Sequence, residues 1–411
     1  MRQTGIAAAG GTVIARPARA VLRFVVLSVG IVLAGCSGGN FLGGGFGGFG
    51  QSQPAQNLEA IGSGSVKVAL LLPMSAAGNA GATATALKQA AELALFEFNN
   101  PEIVLIPKDT RGTAAGATAA AQQAIAEGAE LIIGPLFAQS VAAVGTLARN
   151  ANVSVVAFST DSNVAGRGVY LLSFLPNDDI AQIVEYAVGQ GKTSFAALLP
   201  QDAYGTLAEG VLRQAVAQYR GQVAAVERYA PDAQAMAESA RRLNQVASGP
   251  RPTVSAILMP DGPSALRSLA PALTAGGVDP NRVKFLGSGQ WDDPQIGAEP
   301  ALVGGWYAAP DPAGWQDFVG RYQANYGTTP PRIATLAYDA VSLAAALARQ
   351  PPDQRYSAEM LTNSSGFSGV DGIFRFQPNG LNQRGLAILE VQSGGGRVIR
   401  PAPKSFANRG F

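Results

Sequence analysis

Short apolar runs alternate with alanine-rich stretches of helical spacing from residue 66 onward. Runs that are apolar on both faces are typical of buried strands, and apolar positions three or four residues apart are typical of helices. The first series of predicted strands lies at 66–72, 103–106, 131–133 and 153–158, and its helices lie at 84–98, 113–126 and 140–150. Buried strands joined by helical crossovers predict a parallel sheet that is covered on both faces.

A second series begins after a break near residues 174–176. Its predicted strands lie at 194–199, 222–229, 254–259 and 283–286, and its helices lie at 207–219, 233–246 and 264–275. The restart favours two α/β lobes, each with its own parallel sheet, over one long sheet. About 340 residues are ample for two such lobes.

Polar, aromatic and glycine residues cluster where the predicted strands end. In open α/β sheets, ligands bind beyond the carboxyl ends of the strands. The cluster therefore predicts a ligand cleft between the lobes, although any single segment fits an ordinary turn equally well. The candidate residues for this cleft are Ser75, Phe137, Ser159, Thr160, Asp161, Phe174, Tyr204, Asp261, Gln290 and Trp291.

The first 36 residues resemble a bacterial lipoprotein signal. An apolar run ends in Leu-Ala-Gly-Cys at 33–36, and Cys36 is the only cysteine of the chain. The resemblance implies that residues 1–35 are a signal peptide and that acylated Cys36 anchors the protein to a membrane. Ser37 after the cysteine favours the outer membrane over the inner, on the periplasmic side. The alternative is an ordinary signal peptide or membrane anchor.

Residues 36–62 form a predicted tether, because eight of the 20 residues 37–56 are glycine. The full chain has 30 Lys and Arg residues against 28 Asp and Glu residues. Cleavage of the signal would remove four arginines and no acid, which leaves 26 against 28. We therefore expect no nucleic-acid partner.

Histidine is absent from the chain. Its absence removes the commonest general base and most zinc sites, so we expect no catalytic residue, metal ion or cofactor, and no enzyme. The acids at the strand ends, Asp161, Asp202, Asp261 and Asp292, could form a carboxylate pair or a Ca²⁺ site. Helix capping is the more frequent duty of such residues.

Several segments resemble the type I periplasmic binding proteins with a leucine-binding-protein-like domain. They are 66–75, 91–95, 130–136, 197–205, 338–341 and 369–376. The resemblance implies two Rossmann-like lobes joined by three crossovers. Their expected bounds are 66–174 with 308–365 for the first lobe and 175–307 with 366–400 for the second, followed by a tail at 401–411.

Two branches of that superfamily compete. Ile-Gly-Pro-Leu at 133–136 and Leu-Leu-Pro-Gln-Asp at 198–202 resemble the penicillin-binding-protein activator lipoproteins, whose partner is a peptidoglycan synthase. The alternative is a solute-binding lipoprotein that delivers an amino acid or related small molecule to an ABC permease. In that branch Ser and Thr after the third and fourth strands hold the carboxylate, but Ala138 and Asp161 stand there in this chain. The sequence therefore favours the activator.

Overall fold

The computed structural model describes residues 58–98 and 101–407 of the 411-residue chain. The predicted signal peptide, Cys36 and most of the tether lie outside these residues. Up to residue 171 the elements are β1 (Val66–Leu72), α1 (Asn79–Glu97), β2 (Ile103–Asp109), α2 (Ala114–Ala126), β3 (Leu131–Ile133), α3 (Ala138–Asn150), β4 (Ser154–Ala157) and β5 (Val169–Leu171). Helix α1 begins five residues before the predicted start at 84, because its first turn holds only small or polar residues without apolar spacing.

The first sheet is parallel and has the strand order β2-β1-β3-β4-β5. Successive side chains of β1 point to opposite faces, as expected for a strand. Val68 and Leu70 pack with helix α1, whereas Ala69 and Leu71 pack with α2 and α3. The first lobe is this sheet with the helices that cover both faces.

The second part of the chain builds a second, larger sheet. Its elements are α4 (Pro176–Gly189), β6 (Ser194–Pro200), α5 (Ala203–Gln218), β7 (Gln222–Tyr229), α6 (Ala233–Ala247), β8 (Ala256–Leu258), α7 (Pro263–Ala275), β9 (Lys284–Gly287) and β10 (Trp306–Ala309). Helices α4 and α5 cover one face of this sheet, and α6 and α7 cover the other. The predicted α/β fold with two parallel-sheet lobes is confirmed.

The last part of the chain contributes to both lobes. Its elements are α8 (Pro312–Tyr326), α9 (Ala334–Leu347), α10 (Ala358–Leu361), β11 (Phe367–Gly369), β12 (Gly372–Phe376), β13 (Asn382–Arg384), β14 (Ala387–Gln392) and β15 (Gly395–Arg400). Helices α8 and α9 pack in the core of the first lobe. Strands β14 and β15 add to the second sheet, whose order is β15-β14-β10-β9-β8-β6-β7. Both added strands are antiparallel to their neighbours.

Strands β11, β12 and β13 form a small antiparallel sheet of their own. The predicted bounds place this segment in the second lobe, but Phe374 and Phe376 pack in the core of the first. The ring of Phe376 lies 5.3 Å from that of Tyr170, centroid to centroid. The lobe bounds themselves stay a prediction.

The chain passes between the lobes three times. The crossings lie between β5 and α4, between β10 and α8, and between β13 and β14. Each lobe is therefore built from segments that are distant in sequence. Among the residues described, no helix is long and apolar enough to cross a membrane.

Candidate ligand-binding cleft

A cavity of about 1100 Å³ lies between the two lobes. The first lobe contributes residues 160–163, beyond strand β4, and Arg332, which precedes α9. The second lobe contributes the start of α4, one face of α5, and Gly289, Gln290 and Asp292. All three crossings border the cavity through Phe174, Pro310 and Leu386. The part of the wall formed by the crossings is called the hinge end below.

Helix α5 supplies much of the apolar wall. Asp202 caps the helix by accepting a hydrogen bond from the N–H of Gly205 at 2.8 Å. The wall residues of α5 recur at helical spacing and so form one stripe: Thr206, Leu207, Gly210, Val211 and Gln214. An exposed apolar stripe beside a cavity can receive the apolar part of a ligand.

Tyr204, at the start of α5, is held by the neighbouring strand ends. Its hydroxyl donates to the carbonyl of Pro260 at 2.8 Å and lies 3.2 Å from Oγ of Ser288. The hydroxyl of Ser288 donates to the same carbonyl at 2.8 Å. Burial raises the pKa of Tyr204 to about 12, so the phenol stays protonated. Tyr204 therefore presents its ring to the cavity while its hydroxyl is occupied.

Asp261 and Trp291 lie at the same strand ends but away from the cavity wall. The hydroxyl of Tyr229 donates to Oδ2 of Asp261 at 2.8 Å. The indole Nε1 of Trp291, which is 1% exposed, donates to the carbonyl of Met259 at 2.9 Å. These side chains build the core of the second lobe.

Asp179, on the first turn of α4, lines the cavity but is already bonded. Its two carboxyl oxygens accept the N–H groups of Gly289 at 2.6 Å and of Ile180 at 2.7 Å. Burial, which outweighs these bonds, raises the pKa of Asp179 to about 8. The group is therefore mostly uncharged at neutral pH and adds little negative charge to the cleft.

Arg332 extends from the first lobe into the cavity wall. Its Nη1 lies 2.5 Å from Oδ1 of the fully buried Asp371, and its Nε lies 3.7 Å from Oδ2 of Asp292 in the second lobe. The guanidinium carbon lies 4.8 Å from the ring centroid of Trp315. Arg332 thus links the two lobes across the cleft.

The structure divides the ten predicted cleft residues into two groups. Five line the cavity: Thr160, Asp161, Phe174, Tyr204 and Gln290. Five lie outside its wall: Ser75, Phe137, Ser159, Asp261 and Trp291. A place in the cavity wall does not by itself show contact with a ligand, so the role of these ten residues in binding stays a prediction.

Sequence reasoning missed the cavity-lining arginines Arg332 and Arg384 and the stripe on α5. Each arginine stands alone in the sequence, without a motif, and the α5 stripe looks like any amphipathic helix face. The strand-end acids mostly cap local structure, as Asp161 does by accepting the N–H of Asn163 at 3.0 Å. Within the described ranges, no group of three or more His, Cys, Asp or Glu side chains could hold a metal ion.

The family model described as "Periplasmic binding protein" matches residues 65–396. The chain therefore belongs to the periplasmic binding proteins, and its fold is the type I form of the leucine-binding-protein family, as the sequence motifs predicted. Membership implies a location in the periplasm. None of the curated proteins matches the chain in sequence.

Solved structures share the fold at low sequence identity. An ABC transporter substrate-binding protein from Sphaerobacter thermophilus is 19% identical, with a TM-score of 0.65 over 82% of this chain and 98% of that one. A solute-binding protein from R. palustris in complex with benzoate is 19% identical, with a TM-score of 0.57 over 83% and 98%. LivJ from Streptococcus pneumoniae in complex with isoleucine is 18% identical, with a TM-score of 0.54 over 82% and 99%.

Proposed function

We propose that the protein is a non-catalytic solute receptor of an ABC transporter. The observation that carries this proposal is the cavity of about 1100 Å³, whose wall includes residues of both lobes and of all three crossings. Family membership supports it, because the family is one of solute-binding proteins. The solved structures named above are transport proteins, so they favour the receptor over the activator of peptidoglycan synthesis that the sequence motifs suggested.

In the proposed mechanism a solute enters the open cleft and the lobes close around it by bending at the crossings. Closure would bring residues 160–163 of the first lobe towards the stripe on α5, since both line one cavity. The closed, loaded receptor would then be recognised by a permease. A ligand shifts this equilibrium only as far as it binds the closed form better than the open form.

The experiment that tests this function is calorimetric titration of the purified protein with a panel of amino acids and small organic acids. Gly210 offers a way to block the cavity, because it lines the wall and has open space around the position of a Cβ atom. We expect one class of solute to bind the native protein and to lose binding in Gly210→Phe.

Gly320→Phe is the matched control. Gly320 lies within α8, also has nothing within 4 Å of a Cβ position, and is not part of the cavity wall. We expect this variant to bind like the native protein. Equal loss in both variants, or binding that Gly210→Phe leaves unchanged, would contradict a receptor site in this cleft. Capture of a peptidoglycan synthase together with unimpaired solute uptake in a deletion strain would favour the activator instead.

We also propose that Cys36 is acylated and tethers the receptor to a membrane. The support is the sequence Leu-Ala-Gly-Cys at the end of an apolar run, and Ser37 favours the outer membrane. Metabolic labelling with a radioactive fatty acid tests this proposal. We expect label in the native protein and none in Cys36→Ala, and equal labelling of the two would refute it.

A further inference from the structure

Arg384 lies at the hinge end of the cavity, at the last residue of β13. The residue is 2% exposed. Its Nε donates to the carbonyl of Ser173 at 3.2 Å, and its backbone N–H donates to Oδ2 of Asp178 at 2.7 Å. Its own carbonyl accepts a hydrogen bond from the amide of Gln182 at 3.0 Å. These bonds fix Arg384 between the first and third crossings.

The remaining two nitrogens of the guanidinium are not used. Neither Nη1 nor Nη2 of Arg384 has a hydrogen-bond partner among the described residues, and both atoms are buried. Buried donors without partners are rare, because leaving one unsatisfied costs the full desolvation penalty of the group. Two more cavity-lining groups share this condition: Nη2 of Arg332 and Oδ1 of Asn177. Three residues that line one cavity thus carry unused hydrogen-bonding groups.

The two buried carboxylates that interact with Arg384 have other partners, although Oδ2 of Asp339 accepts no hydrogen bond among the described residues. Asp371, in the turn between β11 and β12, accepts a hydrogen bond from Oγ1 of Thr335 at 2.5 Å and pairs with Arg332. Asp339, on α9, accepts the N–H of Val370 at 2.8 Å. Burial lowers the pKa of the Arg384 guanidinium, and its electrostatic interactions with Asp371, Asp339 and Asp178 oppose that shift. The three carboxylates thus favour the charged form of Arg384, while two of its donors stay open.

The two unused donors of Arg384 match one kind of ligand group. Two parallel N–H donors of a guanidinium match the two oxygens of a carboxylate, which a lysine cannot do. The guanidinium carbon lies 4.9 Å from the ring centroid of Phe174, so the fork is held in one orientation. Beyond it the wall is apolar, with Leu386, Leu207 and Val211.

We propose that Arg384 is the anion-binding residue of the cleft and takes the carboxylate of a small, partly apolar solute on Nη1 and Nη2. This inference rests on the proposed receptor function. It departs from a site in which hydroxyls after the third and fourth strands hold the carboxylate, since Ala138 and Asp161 stand there. Arg384 borders the third crossing, so its donors lie where the two lobes are joined.

The test compares matched pairs of carboxylates and amides: benzoate with benzamide, isovalerate with isovaleramide, and isoleucine with isoleucinamide. Calorimetry on the native protein should show at least one carboxylate that binds about tenfold or more tightly than its amide. Arg384→Lys keeps the charge but removes the fork. We expect it to lose about tenfold in affinity for that carboxylate and to lose less for the matched amide, so that the preference for the carboxylate falls.

Asn177→Asp is a second variant that spares the crossings. Asn177 stands in the first turn of α4, where an added carboxylate is compatible with the helix, and its Oδ1 has no partner to lose among the described residues. We expect the new charge to weaken carboxylate binding about tenfold relative to amide binding. This variant keeps the test decisive if Arg384→Lys fails to fold.

Three results would overturn the inference. One is equal affinity for a carboxylate and its amide, and another is unchanged carboxylate affinity in both variants. The third is binding of amides alone. Amide binding that Gly210→Phe abolishes would preserve the receptor function and refute only the role of Arg384. If no member of the three pairs bound, the proposal that the solute is a small carboxylate would be refuted. Titration with the broader panel of amino acids and organic acids would then test the receptor function.

Discussion

Two polar clusters reach the cleft, one through Tyr204 and the other through Arg332 and Arg384, and they differ in how completely their groups are paired. The strand-end cluster of the second lobe consists of Tyr204, Ser288, Tyr229 and Asp261. Each of its three hydroxyls has a partner within the cluster or on a neighbouring carbonyl. The hinge cluster consists of Arg332, Arg384, Asp339 and Asp371. It holds two arginines with unused nitrogens and, within the described residues, an oxygen of Asp339 without a hydrogen bond.

The difference indicates two kinds of role. A fully paired buried network rigidifies the core and fixes the positions of the strand ends. A partly paired network costs stability and persists where another group completes it. We therefore interpret the strand-end cluster as structural. In the hinge cluster we expect a ligand to complete the hydrogen bonding. Substitutions in the strand-end cluster should therefore change stability without changing solute affinity, whereas substitutions of the unpaired groups in the hinge cluster should change affinity.

The largest expected effect comes from Asp371→Asn, which removes a fully buried charge from the hinge cluster. Arg332 would lose its partner at 2.5 Å, and Arg384 would lose a facing charge. Breaking a buried ion pair by removal of one partner costs about 3 kcal/mol or more, and we expect that loss in the free energy of unfolding. Urea denaturation measures it.

Asp317→Asn is the control for that change, because Asp317 is exposed on α8. We expect its unfolding free energy to stay within about 0.5 kcal/mol of the native value. Equal stability of Asp371→Asn and Asp317→Asn would show that the hinge cluster does not need its central carboxylate.

The next largest expected effect is a dependence of the unfolding free energy on pH, caused by Asp179. Its pKa is raised from 3.8 to about 8 in the folded protein. Between these values the unfolded chain is ionised at this residue while the folded chain keeps its proton, so stability falls as pH rises from about 4 to about 8. The contribution to the slope is at most about 1.4 kcal/mol per pH unit.

Thermal unfolding from pH 4 to pH 8 measures this slope. We expect Asp179→Asn to reduce this slope, apart from a constant cost for the altered bonds to Gly289 and Ile180. Burial also raises the pKa of Asp339, so a smaller slope of the same sign should remain. Asp317→Asn should keep the native slope, since its carboxylate is exposed in both states. A native slope that survives in Asp179→Asn would assign the pH dependence to other groups.

Much of the fold could be predicted from the sequence because its strands are short apolar runs between turns. The bounds of β1, β3 and β7 coincide with the predicted runs at 66–72, 131–133 and 222–229. Burial on both faces leaves little ambiguity between strand and loop in such runs. The later elements were harder, since the small sheet β11–β13 is glycine-rich at its turns and shares a core with residues about 200 positions earlier.

The candidate site could be predicted only in part, for a different reason. The rule that ligands lie beyond strand ends selects Thr160, Tyr204 and Gln290, and these three residues line the cavity. It says nothing of Arg332 and Arg384, which reach the cavity from the segment before α9 and from the third crossing. Which of their nitrogens are hydrogen-bonded depends on residues up to about 200 positions away, such as Ser173, and no local sequence pattern predicts these contacts.

The smallest effect expected here is that of Tyr229→Phe in the strand-end cluster. The change removes one hydroxyl and its 2.8 Å bond to Asp261, which should lower the unfolding free energy by about 1 kcal/mol. Neither residue lines the cavity, so the affinity for any solute found by calorimetry should change by less than about twofold. Arg384→Lys should show the reverse pattern, with a marked loss of carboxylate affinity. Equal loss of solute affinity in Tyr229→Phe and Arg384→Lys would contradict this contrast. The presence or absence of hydrogen-bond partners would then not separate structural polar groups from ligand-binding ones in this cleft.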